Sequence, residues 1–203
     1  MTNSEHLMLP AVEALSALSR MSDLRDPYLA WHENRVGHLA AAIGRNMGLD
    51  EERCQGLSIC GNVHDIGKIA LPFEILAKPG KLTSHEFGIV KTHASLGGEI
   101  LRNLDVPWPI VTVCLQHHER IDGSGYPLGI KGDAIILEAR IIAVADTVDA
   151  MTSHRPYRAG LALDRALAEV TARAGTQLDE AVVDVCVRLF REQHYTFPQG
   201  NSG

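Results

Sequence analysis

The sequence predicts an all-α protein folded as a single helical bundle with two long loops that carry function. Apolar residues recur at steps of three and four through most of the 203 residues, which is the periodicity of helices with one buried face. Strand patterns do not alternate with helical ones, so a parallel sheet is not expected. Prolines and glycines concentrate in residues 69–81 and 120–133, and we expect these segments to be the loops.

The N-terminal half is predicted to form four helices, with the first loop before the last of them. The apolar stripes place these helices at about residues 7–18, 29–47, 51–64 and 84–101. Gly48 is suited to end the second helix. Thr83 and Glu86 have the spacing of a capping box, which predicts the start of the fourth helix. We expect one short helical turn inside the first loop.

The C-terminal half is predicted to be helical as well, apart from the second loop. Pro107 and Pro109 interrupt the chain before an apolar run that ends in two histidines. Helical periodicity then gives further helices at about residues 134–153, 165–175 and 180–192. The predicted domain organisation is a short N-terminal helical extension, one main domain and a flexible tail, at residues 1–23, 24–195 and 196–203.

Composition excludes several classes of function. The formal net charge of -6 argues against a partner that is a nucleic acid polymer. No apolar run approaches the ~20 residues that cross a bilayer, and no secretory signal is visible, so no membrane contact is expected. The four cysteines contain no CxxC pair and are expected to be reduced, half-buried thiols, which favours a cytoplasmic location.

Seven ionisable side chains lie on stripes that are otherwise apolar. They are His32, His64, Asp65, His93, His117, His118 and Asp146. Taken singly, an inward histidine is more often a hydrogen-bonded core residue than a ligand, and a lone aspartate is usually solvated. Seven together would be costly, because each unpaired buried polar group costs about 1–3 kcal/mol. Metal ions remove that cost, and this ligand set suits Fe, Mn, Zn or Ni better than Ca.

The number of candidate ligands predicts a two-metal centre, because seven exceed one tetrahedral site. Asp65 is the natural bridge, since it directly follows His64. Such a centre lowers the pKa of a shared water and clamps a phosphoryl oxygen. Lys68 lies four residues after His64 and would share its helix face. Lys68 is then either a cation for a phosphate oxygen or a solvated lysine at a helix end.

The motifs that contain these residues resemble those of a known family. "HDIGK" at 64–68 resembles the signature of the HD-domain metal phosphohydrolases, and "HHERIDGSGYP" at 117–127 resembles the second signature of their HD-GYP subfamily. Four further blocks match that subfamily: "HENRV", "LPFEILAKPGKLT", "KTHASLGGEIL" and "VADTVDAMTSHRPYR". The ordered set covers about residues 24–190 and is far more specific than an HD pair alone.

The resemblance implies an all-helical HD-type domain that hydrolyses cyclic di-GMP to pGpG or GMP with a metal-bridged hydroxide. It implies two divalent transition metals, with Fe or Mn expected and Ni or Zn as further candidates. Tyr28 stands where some members carry a glutamate that holds a third metal, which favours two. The implied ligands are His32, His64, Asp65 and Asp146 for one metal, and His93, His117 and His118 for the other, with Asp65 shared.

The same resemblance implies the catalytic and substrate-binding residues. Lys68 matches a lysine that contacts substrate, so Asp65 and Lys68 are the expected catalytic pair. Arg155 and Arg158 match positions that meet the phosphate or guanine side of the ligand. Tyr126, in the GYP loop, is expected to border the substrate site or a docking face for signalling proteins.

Three functions stay open from the sequence. The leading one is a cyclic di-GMP phosphodiesterase. The alternative is a catalytically weak module that binds a cyclic dinucleotide or a signalling protein, and the third is the same chemistry on another nucleotide. A homodimer, the regulatory input and a longer parent protein are also open. Glu119 is expected either to orient a histidine or to be a surface charge, and Trp31 and Trp108 to fill the core or its edge.

Overall fold

The protein is described by a computed structural model that covers residues 13–15, 17–18, 27–153 and 160–198. Its α-helices are α1 Pro27–Asn46, α2 Glu51–Val63, α3 Phe73–Leu76, α4 Ser84–Lys91, α5 His93–Leu101, α6 Ile110–Gln116, α7 Leu137–Thr152, α8 Leu163–Thr171 and α9 Glu180–Arg191. Two 3₁₀ helices span Ile66–Ala70 and Gly132–Ala134. Across the described ranges no strand forms beyond one isolated bridge, which confirms the predicted all-α class.

The predicted helix starts are formed by side-chain caps. The Asp50 carboxylate accepts a hydrogen bond from the backbone N–H of Arg53 at 2.8 Å and begins α2. The predicted capping box is present at the start of α4, where the side chains of Thr83 and Glu86 each accept from the other's backbone N–H. The single helical turn expected in the first loop is α3.

Two predictions about the course of the helices are wrong. Helix α2 ends at Val63, and a 3₁₀ helix begins at Ile66, so the prediction that His64 and Lys68 share one helix face is wrong. The segment predicted as one helix at residues 84–101 divides at Thr92. The Thr92 hydroxyl donates to the carbonyl of Ile89 at 2.7 Å, a local bond that competes with helix continuation.

Helix α7 lies at the centre of the bundle and packs against α1, α2, α6, α8 and α9. Its residues Ile141, Ile142, Val144 and Val148 are fully buried. Helices α1 and α2 approach closely at a pair of glycines, because a Cβ on Gly61 would lie 2.4 Å from the Cα of Gly37. Helices α1, α2 and α7 thereby meet in one core.

Three further expectations have outcomes in the structure. Trp108 is buried as predicted, whereas Trp31 is 44% exposed, so the prediction for Trp31 is wrong. The four cysteines are unpaired, and they are fully buried rather than half-buried. Phe197 lies in the segment predicted to be a flexible tail, and its ring centroid is 5.6 Å from that of Phe190. None of the described helices has the length and hydropathy that a bilayer crossing requires.

Candidate metal centre

The seven predicted ligand side chains lie on five helices or directly after them, and they meet in the core. They are His32 of α1, His64 and Asp65 after α2, His93 at the start of α5, His117 and His118 after α6, and Asp146 of α7. Five of them are buried to 4% exposure or less, a level at which polar groups need partners. The helix ends and the α1–α2–α7 core thus place the whole set in one region.

The side chains form two groups that share Asp65. Ligand atoms of Asp65, His93, His117 and His118 lie within 4.8 Å of one another, and so do those of His32, His64 and Asp65. Asp146 is in neither of these two groups, but its Oδ1 atom lies 3.2 Å from Nε2 of His32, a member of the second group.

The two oxygens of Asp65 face different groups. Its Oδ1 atom is 3.1 Å from Nε2 of His93 and 3.6 Å from Nε2 of His117. Its Oδ2 atom is 3.5 Å from Nε2 of His64 and 3.9 Å from Nε2 of His32. A carboxylate with this orientation is suited to bridge two cations.

Backbone carbonyls assign the tautomer of three histidines. Nδ1 lies 2.7 Å from the Gly61 carbonyl in His64, 2.6 Å from the Val90 carbonyl in His93, and 2.9 Å from the Cys114 carbonyl in His117. A carbonyl oxygen only accepts, so the proton of each neutral ring is on Nδ1. The lone pair is therefore on Nε2, which points into the cluster.

The Nε2 atoms are arranged as ligands rather than as hydrogen-bond donors. Those of His93 and His117 lie 3.3 Å apart, so two lone pairs face each other. His64 Nε2 and Asp65 Oδ1 are buried without a hydrogen-bond partner. Converging lone pairs and buried acceptors are unfavourable alone and become favourable around a cation. The donor set therefore fits metal ions.

His32 is oriented by a carboxylate that the sequence analysis missed. Asp149 Oδ2 lies 2.6 Å from His32 Nδ1, and Arg35 donates from Nε to Asp149 Oδ1 at 2.6 Å. The Ser153 hydroxyl also donates to Asp149 at 3.0 Å. A carboxylate behind a ligand histidine fixes the ring and increases its basicity. In the sequence Asp149 follows Asp146 by three residues on the same helix, but nothing there joins it to His32.

Burial and neighbouring carboxylates set the charge of the imidazoles. Burial lowers the pKa of His64 to about 4 and holds the pKa of His118 well below its usual range. Burial would also lower the pKa of His32, but Asp146 and Asp149 raise it to about 9. His64 and His118 are therefore neutral at pH 7, as metal ligands must be, whereas His32 is protonated and would release its proton on binding a metal.

The carboxylates of the cluster are ionised. Burial opposes ionisation of Asp65, but the positive charge of Lys68 holds its pKa well below the usual range. Burial likewise opposes ionisation of Asp146, and its hydrogen bond with His32 holds its pKa low. The site therefore offers two negative charges beside the neutral imidazoles of His64 and His118.

The other predicted site residues have three different outcomes. Lys68 forms an ion pair with Oδ2 of Asp65 and so lies beside the cluster. The Tyr126 ring stacks on His118, with ring centroids 4.7 Å apart and an interplanar angle of 30°. Arg155 and Arg158 lie outside the described residues.

Glu119 holds the second loop, and both predictions for it are wrong. It is 2% exposed, so it is not a surface charge, and its side-chain hydrogen bonds are with the loop rather than with a histidine. Its Oε1 atom accepts from the backbone N–H groups of Leu128 at 2.6 Å and Gly129 at 3.2 Å. The loop is thereby fixed next to His118, where Tyr126 stacks.

The fold and the site define an all-helical protein whose core holds a histidine–aspartate cluster suited to metal ions. Residues 16–182 match the family model described as HD domain, and the chain belongs to the HD domain family. This confirms the family predicted from the sequence.

Relatives and a solved structure extend the match. The chain is 42% identical over 178 residues to the cyclic di-GMP phosphodiesterase response regulator RpfG of Xanthomonas campestris pv. campestris, covering 87% of this chain and 47% of the relative. It is 40% identical over 182 residues to a cyclic di-GMP phosphodiesterase of Thermotoga maritima, covering 89% and 50%. The chain thus spans about half the length of these relatives.

The fold matches a solved cyclic GMP-AMP specific phosphodiesterase of Vibrio cholerae, V-cGAP3. The TM-score is 0.67 and the identity 20%, over 90% of this chain and 49% of that chain. At 20% identity this match shows that the fold is shared and does not identify a substrate.

Proposed function

We propose that this chain is a metal-dependent phosphodiesterase that hydrolyses cyclic di-GMP to pGpG or GMP. The observation that carries the proposal is the orientation of Asp65, whose two oxygens face two separate groups of histidine nitrogens. The names of the two similar bacterial relatives support the substrate.

The proposed cofactors are two divalent transition metal ions, with Fe or Mn favoured over Ni or Zn. The proposed ligands are His32, His64, Asp65 and Asp146 at one position, and Asp65, His93, His117 and His118 at the other. The chemistry that two such ions supply when bound is activation of a water near neutral pH and neutralisation of charge on a phosphoryl oxygen.

The residues of the chain have distinct proposed roles. Asp65 would hold both metal ions through its two oxygens, and ions bound there would supply an activated water and neutralise charge on the scissile phosphate. Lys68, half-buried next to Asp65, stabilises negative charge that develops on the phosphate. Tyr126 forms one wall of the site above His118, and Arg155 and Arg158 contact the phosphate or guanine groups.

The test is a product assay with metal-loaded protein under anaerobic conditions. Cyclic di-GMP is expected to be converted to pGpG or GMP, as resolved by chromatography. The double variant His64→Ala with Asp65→Ala is expected to lose turnover and to stay helical by circular dichroism. His38→Ala is the matched control, because His38 lies on α1 but is exposed and outside both groups. Retained turnover in the double variant would remove the proposed mechanism.

The alternative is a binding module without useful activity. If protein shown to contain metal binds cyclic di-GMP tightly but forms no product over hours, the chain is a binding module and not a phosphodiesterase. Cyclic GMP-AMP and cyclic di-AMP tested beside cyclic di-GMP would identify a different cyclic dinucleotide as the substrate.

The remaining sequence-based expectations stay predictions. They are the division at residues 1–23, 24–195 and 196–203, the cytoplasmic location, the signalling partners at the GYP loop and the homodimer.

A further inference from the structure

A lysine held by two aromatic rings lies at the edge of the histidine–aspartate cluster. Phe87 and Lys91 are four residues apart on α4 and therefore share one helix face. Lys91 Nζ is 5.0 Å from the ring centroid of Phe87 and 5.1 Å from that of Tyr126. The two rings meet edge to face with centroids 6.4 Å apart. Two cation–π contacts thus hold the ammonium group on one side.

This aromatic–lysine group is next to the proposed metal positions. Tyr126 stacks on His118 at 4.7 Å, and its ring centroid is 6.4 Å from that of His93. Lys91 also precedes His93 by only two residues, at the junction of α4 and α5. The ammonium group is therefore separated from the cluster by about the width of one aromatic ring.

The charge of Lys91 is not matched by a nearby carboxylate. Within the described ranges no carboxylate oxygen lies within 4.0 Å of its Nζ, whereas Lys68 pairs with Asp65 and Lys78 with Glu86. An ammonium has three N–H donors, and aromatic faces provide no lone-pair acceptor for them. Lys91 is half-buried and keeps donors available for an anion. Phe87, 45% exposed, leaves part of its ring open beside it.

We propose that Lys91, positioned by Phe87 and Tyr126, binds the phosphate of the cyclic dinucleotide that is not being cleaved. This inference rests on the proposed function. A cyclic dinucleotide carries two phosphodiester groups in one ring, so a substrate with one phosphate at Asp65 presents the other some distance away. Lys68 contacts Asp65 and suits the scissile phosphate, and Lys91 lies beside Tyr126 with no carboxylate partner among the described residues. Lys91 thereby selects substrates that have a second phosphate.

The test compares two substrates in the metal-loaded full chain. Cyclic di-GMP has the second phosphate, and bis(p-nitrophenyl) phosphate is a diester without it. For Lys91→Met, loss of one charge-assisted contact is expected to raise KM for cyclic di-GMP about tenfold, with kcat changed less than about twofold. Lys91→Arg is expected to keep most of the affinity, and Phe87→Ala to raise KM by a smaller factor. Hydrolysis of bis(p-nitrophenyl) phosphate is expected to be unchanged in all three variants.

The control is Arg191→Met, which removes one positive charge from the exposed end of α9. It is expected to leave both substrates unaffected. Circular dichroism melting curves check that each variant is folded.

Three outcomes would overturn the inference. An unchanged KM of Lys91→Met for cyclic di-GMP would do so while leaving the proposed function intact. An equal loss on both substrates would also do so, because Lys91 would then act through the metal cluster. If the wild-type chain cleaves bis(p-nitrophenyl) phosphate but no cyclic dinucleotide, the proposed function fails and the inference fails with it.

Discussion

The Nδ1 atom of His32 lies 2.6 Å from the Oδ2 atom of Asp149, and this contact joins α1 to α7 directly behind the candidate metal centre. Asp149 is fully buried, and Arg35 Nε donates a second hydrogen bond to its Oδ1 atom at 2.6 Å. Burial opposes ionisation of Asp149, yet His32 and Arg35 lower its pKa, so it stays a carboxylate. The ring of His32 is therefore held in one orientation before any ligand binds.

Replacement of Asp149 is expected to weaken metal binding. In Asp149→Ala the ring of His32 loses its orienting acceptor, and affinity for one metal is expected to fall about 10–100-fold. Competition titration against a chromogenic chelator measures this directly. Asp184→Ala is the control, since Asp184 is exposed on α9. Equal affinity in Asp149→Ala and the wild type would show that the contact has no positioning role.

Replacement of Glu119 is expected to release the second loop. Glu119→Ala leaves two backbone N–H groups without their acceptor, which is expected to cost about 2–3 kcal/mol of unfolding free energy in urea titrations. Glu119→Gln keeps an acceptor oxygen and is expected to lose less. Limited proteolysis within residues 120–133 is expected to become faster in Glu119→Ala. If both variants unfold at the wild-type urea concentration, Glu119 does not hold the loop.

A methyl group at Gly67 is expected to separate Asp65 from His93. A Cβ at Gly67 would lie 1.9 Å from the carbonyl oxygen of His93, a backbone atom that cannot move alone. Gly67→Ala is expected to lower the unfolding free energy by about 1–3 kcal/mol and to weaken metal binding. Gly88→Ala on α4 is the matched control, because nothing lies within 4 Å of its Cβ position. It is expected to stabilise the helix by about 0.5–1 kcal/mol. A wild-type melting temperature for Gly67→Ala would contradict this packing.

The cap of α4 is expected to weaken in acid. Contacts with Lys78 and Thr83 lower the pKa of Glu86 to about 2 from an ordinary 4.5. The unfolded state binds a proton first, so this contribution is complete above about pH 4.5 and is lost as the pH falls toward 2. The urea midpoint of Glu86→Gln, compared with the wild type from pH 7 to pH 3, is expected to show a difference that shrinks below about pH 4.5. If the difference between the two urea midpoints does not change with pH, Glu86 stabilises α4 through packing and not through its charge.

Periodicity and motif spacing predicted the helices and the identity of the clustered residues. His64 and Asp65 stand in an apolar run, where a charge or an imidazole has a high cost without a partner, so their pattern was informative. The capping box at Thr83 was also readable, because its bonds are local in sequence. The position of Lys68 relative to His64 was predicted wrongly, since the contact of Lys68 with Asp65 depends on the packed cluster.

Contacts between distant segments could not be read from one sequence. Asp149 is 117 residues from His32, and only the packing of α1 on α7 brings them together. The buried environment of Glu119 and the contact of Tyr126 with Lys91 likewise depend on the path of the second loop. Residues of this kind look like ordinary surface charges in a helical pattern.

The most direct test of the central claim is the metal content of the chain, purified under anaerobic conditions and measured by elemental analysis. If Asp65 joins two metal positions, the wild type is expected to contain about two transition metal ions per chain and Asp65→Ala fewer than one. His38→Ala is expected to match the wild type. A metal-free wild type, or an Asp65→Ala variant that still binds two ions, would contradict the account.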